Sequence, residues 1–301
     1  MSSCFVCENA PSLCLRNQYF VCQKCGHECL KEGQLQQFIV NEEMNLKLIK
    51  QKSVLINFQC GVVKKVKSCH SLFIDIGCGP GRLLLHVGDM FSQKIGIEVT
   101  KECLAFAKKT LSLDVRPSLS EIKEPKCLIA TFWHSLEHMP KMAIDETLKH
   151  LNSISLPGSK LIISVPNADS FMYRLFKKRW PFYDVPNHLH QFTHQSLNEL
   201  MGKYGFVHEK TSLSLPYNLF GYLQGLLNVF NSEHNYFYYR QRRGQEFGCS
   251  KTVRYLKDFY NLLLIGAMLP LALFLSAYDA ILPKKGGVIT VVFAKEKESI
   301  E

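Results

Sequence analysis

The chain has 301 residues, 47% of them hydrophobic, and a formal net charge of +10. That is enough apolar chain for one large domain with an accessory one, and it excludes a disordered or fibrous protein. The charge suits an anionic partner such as nucleic acid, acidic lipid or a phosphorylated substrate without choosing among them.

The first 20 residues carry Arg16 as their one basic residue and no apolar run. They do not read as a secretory signal, so a cytoplasmic location is expected. Six of the twelve cysteines fall within the first 29 residues. In a reducing compartment such a cluster reads as metal ligation. Cys4-x2-Cys7 followed by Cys22-x2-Cys25 has the spacing of a zinc ribbon, with two knuckles giving four thiolates to one structural ion. Cys14, His27 and Cys29 lie close enough in sequence to replace one ligand. Residues 1–33 are expected to form this module, and 34–66 a connecting helix, with Leu35, Phe38, Met44, Leu48, Leu55 and Phe58 at helical spacing.

From Ser71 the pattern becomes strand, turn, helix. Leu72-Phe73-Ile74-Asp75-Ile76 enters the loop Gly77-Cys78-Gly79-Pro80-Gly81, and Leu83-Leu84-Leu85 opens a helix. Glycines let a backbone turn sharply and approach a ligand closely. A dinucleotide fingerprint needs a glycine where Arg82 stands, so the loop does not fit that class. The next strand, 94–99, brings Glu98 to its end, where a carboxylate can accept both hydroxyls of a ribose. Further apolar runs at 126–132, 160–165, 206–213 and 288–294 alternate with helical stretches at 101–111, 141–153 and 195–204. This predicts an α/β fold: a doubly wound, Rossmann-like sheet with an antiparallel last strand.

The loop spacing resembles that of class I S-adenosylmethionine-dependent methyltransferases, and three later segments add to the resemblance. Trp133-His134-Ser135-Leu136-Glu137-His138 is similar to the "LEH" segment of the small-molecule members. Leu156-Pro157-Gly158-Ser159 through Val165-Pro166-Asn167 is similar to their fifth-strand signature, with Ser159 in place of a second glycine. Asn187-His188-Leu189-His190-Gln191-Phe192-Thr193 is similar to a later signature. The resemblance implies S-adenosylmethionine as cofactor, with Asp75, Gly77, Gly79 and Gly81 around its methionine end and Glu98 on the ribose. It also implies Glu121 at the adenine, and Trp133 in the segment bordering the methyl group.

The sulfonium is already a good leaving group, so the protein's task is alignment and, for a hydroxyl acceptor, removal of a proton. Histidine is the natural base near neutral pH. His188 and His190 come first, since alternation in an extended segment puts them on one face; His138 and His134 follow. No carboxylate at clear spacing completes a metal site with the first pair.

Between 215 and 283 the alternation stops. Thr211–Ser232 and Phe259–Tyr278 are uncharged and flank Arg240, Arg242, Arg243, Lys251, Arg254 and Lys257. The second stretch is long enough to span a bilayer, yet 288–294 must rejoin the sheet, and Pro270 predicts a kink or a break. A helical insertion lying on an anionic membrane surface or a lipid-linked substrate is expected.

The expected organisation is therefore a zinc ribbon (1–33), a linker helix (34–66), a cofactor-binding domain (67–214 and 284–301) and an apolar insertion (215–283). Methylation of a small-molecule or glycan-type acceptor, with the chain cytoplasmic or peripheral at the inner face of a membrane, is the first functional reading. RNA methylation is the second, although residues 1–33 hold only Arg16, Lys24 and Lys31 as basic groups. A non-catalytic cofactor-binding scaffold is the third.

Overall fold

The computed structural model describes residues 3–8, 13–16, 19–30, 45–66, 72–243, 250–279 and 281–296. The cysteine-rich region contributes β1 (Leu13–Arg16), β2 (Tyr19–Cys22) and β3 (Glu28–Leu30). Residues 34–44 of the expected linker helix, with Leu35, Phe38 and Met44, lie outside the described residues. The rest of that stretch is two helices, α1 (Leu46–Lys50) and α2 (Val54–Val66). Asn45 caps the first by accepting from the Lys47 and Leu48 amides; α2 buries Ile56, Gln59 and Val63.

Strand β4 (Leu72–Ile76) leads through the glycine loop to α3 (Arg82–His86), followed by β5 (Gln93–Ile97), α4 (Lys101–Leu111), β6 (Val115–Arg116), β7 (Leu128–Trp133), α5 (Lys141–Ile154) and β8 (Lys160–Pro166). After them come α6 (Phe171–Phe176), β9 (His190–Gln191), α7 (His194–Lys203), β10 (Phe206–Leu213), α8 (Leu215–Phe230), α9 (Tyr236–Arg243), α10 (Lys251–Asp279) and β11 (Val288–Lys295).

The main sheet has seven strands in the order β10-β11-β8-β7-β4-β5-β6. Strands β8, β7, β4, β5 and β6 run parallel, and β11 is antiparallel to both its neighbours. This is the expected Rossmann-like sheet with an antiparallel last strand, and the helical insertion sits before that strand. All five residues of β4 are buried, as a parallel strand covered on both faces requires. Each fully buried Leu or Ile, such as Leu72, Leu128 and Ile163, contributes roughly 1.5–3 kcal/mol. Ser159, in place of a glycine, has a use of its own: its buried hydroxyl accepts from the Leu128 amide at 3.0 Å and so pins the start of β7.

A second sheet has the order β1-β2-β3-β9. Its fourth strand comes from the segment after β8, so the cysteine-rich strands are hydrogen-bonded into the body of the chain. In the insertion, α8 and α10 pack together: Tyr222 donates to Asp279 at 3.0 Å, and Asn231 donates to Asn261 at 3.0 Å. Gly221 and Gly225 let α8 approach Met172 and Phe176, where a Cβ would fall within 2.9 Å and 2.4 Å of side-chain atoms. Pro270 does not break the chain into two helices; α10 runs unbroken for 29 residues. A proline within a helix forfeits one backbone hydrogen bond, and the other turns of a helix this long carry it past the defect.

Candidate active site

The carboxyl ends of β4, β5 and β7 converge on the glycine loop, the position where open α/β sheets bind their ligands. Gly77, Gly79 and Gly81 have φ of 71°, 53° and 84°, in the left-handed region that glycine enters without penalty. A Cβ on Gly77 would lie 2.5 Å from that of Ser135, which itself donates to Ile76 O at 2.7 Å. The loop is thus pressed against the segment that follows β7.

Glu98 is buried beyond β5 and closes the loop: its Oε2 accepts from the Gly79 amide at 2.8 Å and its Oε1 from the Thr100 amide at 2.7 Å. Asp75, at the end of β4, accepts from the Thr131 hydroxyl at 2.6 Å. Burial pushes its carboxyl up to about 7, against the lowering effect of that bond. Glu121 is exposed in the turn after β6.

The four predicted histidines fall into separate surroundings. His134 has a φ of 52°, a left-handed backbone that is uncommon outside glycine but that histidine enters more readily than most residues. Its Nδ1 lies 3.3 Å from Oε1 of Glu137. Its ring centroid is 4.6 Å from that of Tyr217, at the start of α8, and 6.3 Å from that of Phe182. Phe58 of α2 contacts both Trp133 and Tyr217, and Gln59 donates to the Tyr217 hydroxyl at 2.8 Å. Nε2 of His134 and Nε1 of Trp133 are buried without a hydrogen-bond partner among the described residues. Both atoms face an aromatic enclosure beside the glycine loop.

His188 and His190 do not share a face. The extended segment is only the two residues of β9, and His188 precedes it in a turn closed by its own amide on Asp184 O at 2.8 Å. His188 instead meets His138, ring centroids 4.6 Å apart, with Glu137 beside them. Burial, with the charge of His138, lowers His188 to about 4. His190 turns to the cysteine cluster, its Nδ1 3.1 Å from Nε2 of His27, and burial lowers it to about 3.

Sequence reasoning missed Glu137. It is 1% exposed, and its burial raises its carboxyl while His134, with the charges of His138 and His188, outweighs that and holds it down to about 2. The carboxylate that the spacing did not reveal is supplied by the "LEH" segment itself.

The sulfurs of Cys4, Cys7, Cys22 and Cys25 all lie within 4.8 Å of one another, with Cys4–Cys25 at 3.8 Å and Cys7–Cys22 at 3.6 Å. Zinc–sulfur bonds of about 2.3 Å in a tetrahedron put sulfurs about 3.8 Å apart, so the quartet fits zinc. His27 stands behind it, Nδ1 4.0 Å from the Cys4 sulfur, and Cys29 turns to Leu30 O. The side chain of Cys14 lies outside the described residues. The module also touches the histidine segment directly: Tyr19 donates to His188 O at 2.7 Å, and Thr193 donates to Cys25 O at 2.8 Å.

A family model for a methyltransferase domain matches residues 67–211. No curated protein matches the chain. Among solved structures it is similar to the cyclopropane synthase MmaA2 from Mycobacterium tuberculosis, with 14% identity, covering 79% of this chain and 84% of that one, at a TM-score of 0.47. A SAM-dependent methyltransferase from Archaeoglobus fulgidus is 16% identical, with 80% and 94% covered and a TM-score of 0.45. A phospholethanolamine N-methyltransferase 2 from Haemonchus contortus, in complex with phosphomonomethylethanolamine and S-adenosylhomocysteine, is 12% identical, with 80% and 53% covered and a TM-score of 0.45.

Proposed function

As a class I S-adenosylmethionine-dependent methyltransferase whose residues 67–211 match a methyltransferase-domain model, the chain, we propose, methylates a small-molecule or glycan-type acceptor carried on a lipid. The observation that carries this reading is the contact of Tyr217 with His134. It puts the first helix of the apolar insertion against the segment that adjoins the cofactor loop, so an acceptor held by the insertion is delivered to the methyl group.

In this reading Glu98 and the glycine loop hold the cofactor, and the Phe58, Trp133, Phe182 and Tyr217 rings enclose the acceptor and exclude water. His134 takes the acceptor proton through Nε2 while Glu137 orients its other nitrogen, a division of labour in which a buried carboxylate fixes the imidazole. We place His134 ahead of His188 and His190, whose low basicity and other contacts suit them to holding the segment together. His134→Ala is expected to lower kcat roughly 10²- to 10⁴-fold while leaving cofactor affinity unchanged. A wild-type rate constant with the true acceptor would remove His134 from the role.

The insertion supports the lipid part of the proposal. Helix α10 is long and apolar enough to cross a bilayer, with 17% of its most apolar window buried. Tyr255, Leu256, Phe259, Leu262, Leu263 and Phe274 are all exposed. Because β11 rejoins the sheet directly after it, we propose that α10 lies in the interface, on the side where the sheet resides. Two of the basic residues expected to meet head groups are already paired, Arg240 with Asp258 and Lys257 with Glu233. Apolar contact then outweighs charge, and flotation with anionic vesicles is expected to survive moderate salt and to fail in Leu262→Glu with Leu263→Glu. Equal flotation of that variant and the wild type, or none by either, would contradict membrane docking.

A further inference from the structure

We infer that Glu137, His138 and His188 form a second metal site, separate from the cysteine quartet, for a divalent first-row transition ion. One donor atom from each residue lies within 4.8 Å of the other two. The carboxylate is the strongest pointer. Glu137 is 1% exposed, and neither of its oxygens has a well-formed hydrogen bond among the described residues; Oε1 lies 3.3 Å from Nδ1 of His134. A carboxylate removed from water is retained where a cation or a set of donors compensates it.

The imidazoles are oriented for the same task. Nδ1 of His138 lies 2.8 Å from Asn187 O, and Nδ1 of His188 lies 2.8 Å from Phe182 O. A carbonyl oxygen only accepts, so each Nδ1 carries the proton and donates it. In the neutral ring the lone pair is then on Nε2. Backbone carbonyls that fix imidazoles in this way are a regular feature around metal-binding histidines.

Two nitrogens and one carboxylate oxygen suit zinc, iron(II), cobalt or manganese better than calcium or magnesium, which favour all-oxygen surroundings. Three protein ligands leave at least one position for water or an acceptor oxygen, whereas the four thiolates of the quartet close theirs. That an acceptor oxygen takes the open position rests on the methyl-transfer reading above. Binding of the ion does not.

Cobalt(II) separates the two sites in the full chain as purified, because thiolate ligands give an intense sulfur-to-cobalt charge-transfer absorption and histidine–carboxylate ligands do not. Cobalt is added in increments, and bound metal is counted by elemental analysis after dialysis. The expected result is one further equivalent per chain whose spectrum lacks the thiolate band. It should be lost in His188→Ala and in Glu137→Gln, with the zinc content of the quartet unchanged in both. No further equivalent bound by the wild-type chain, or full binding by folded Glu137→Gln, would overturn the site. Neither readout involves methyl transfer, so failure here leaves the proposed activity standing, and an inactive chain that still binds the ion leaves the site standing.

Discussion

Replacing Gly79 by valine is expected to abolish measurable binding of S-adenosylmethionine without unfolding the chain. Gly79 has a φ of 53°, where a β-branched residue is strained, and its amide is held by Glu98 at 2.8 Å. A valine would displace the loop backbone from both its conformation and its anchor. Glu98→Ala acts on the same contact from the other side. It also removes the charge-assisted hydrogen bond that Glu98 is expected to make to the ribose, worth roughly 1.5–3 kcal/mol, so affinity should fall about ten- to a hundred-fold.

Affinity is also expected to depend on pH through Asp75, whose carboxyl burial pushes up to about 7. The cationic methionine end of the cofactor favours the ionised form and lowers that value, so binding releases a proton when Asp75 starts protonated. Binding should therefore weaken as pH falls below about 7. Calorimetry on folded variants checks all three, and unchanged affinity in both Gly79→Val and Glu98→Ala would require the cofactor to bind elsewhere.

Loss of the cysteine quartet is expected to cost more than the N-terminal module. Structural zinc sites contribute about 10–16 kcal/mol to the folding of small zinc-binding peptides, so Cys22→Ser with Cys25→Ser should remove one zinc per chain and unfold the strands beside it. Those strands are bonded to the histidine segment: Leu30 donates to Leu189 O at 2.9 Å, Tyr19 to His188 O at 2.7 Å, and His27 meets His190 at 3.1 Å. The variant should therefore lose methyl transfer and become sensitive to proteolysis near residues 184–193, while the glycine loop, built from β4 and β5, still binds the cofactor. Protein purified without chelator that contains no stoichiometric zinc would contradict this, as would a variant with an unaltered proteolysis pattern.

The parallel strands and the glycine loop between β4 and α3 were legible because their signals are local. Leu72–Ile76 is an apolar run broken only by Asp75, and Gly77, Gly79 and Gly81 stand where the backbone enters the left-handed region. The quartet was legible for the same reason, as two knuckles of fixed spacing. What could not be read was non-local. Strand β9 is two residues long and pairs with β3 across some 160 positions, and no periodicity announces it. That pairing separates His188 from His190, so a period-two rule written for longer strands put them together wrongly.

Glu137 looks like an ordinary polar residue at the start of a turn. It is buried because the chain after Asn187 folds over it, with the Leu189 amide on Glu137 O at 2.8 Å. Phe58 and Tyr217, which enclose His134, come from elements 159 residues apart in sequence, and the apolar spacing that singled out Phe58 gave no sign of its partner. Of the kink or break expected at Pro270, the break does not occur: a proline forfeits one hydrogen bond, and a helix of 29 residues continues past it.

The most direct measurement gives the purified chain S-adenosylmethionine labelled in its methyl group, together with separately prepared lipid, RNA and soluble small-molecule extracts, and determines the mass of every labelled product. Methyl transfer to a lipid-carried small-molecule or glycan acceptor predicts label in the lipid extract, in a product one methyl group heavier than its precursor, and its disappearance with His134→Ala. Label confined to RNA, or no labelled product in any extract from protein that binds the cofactor, would contradict it.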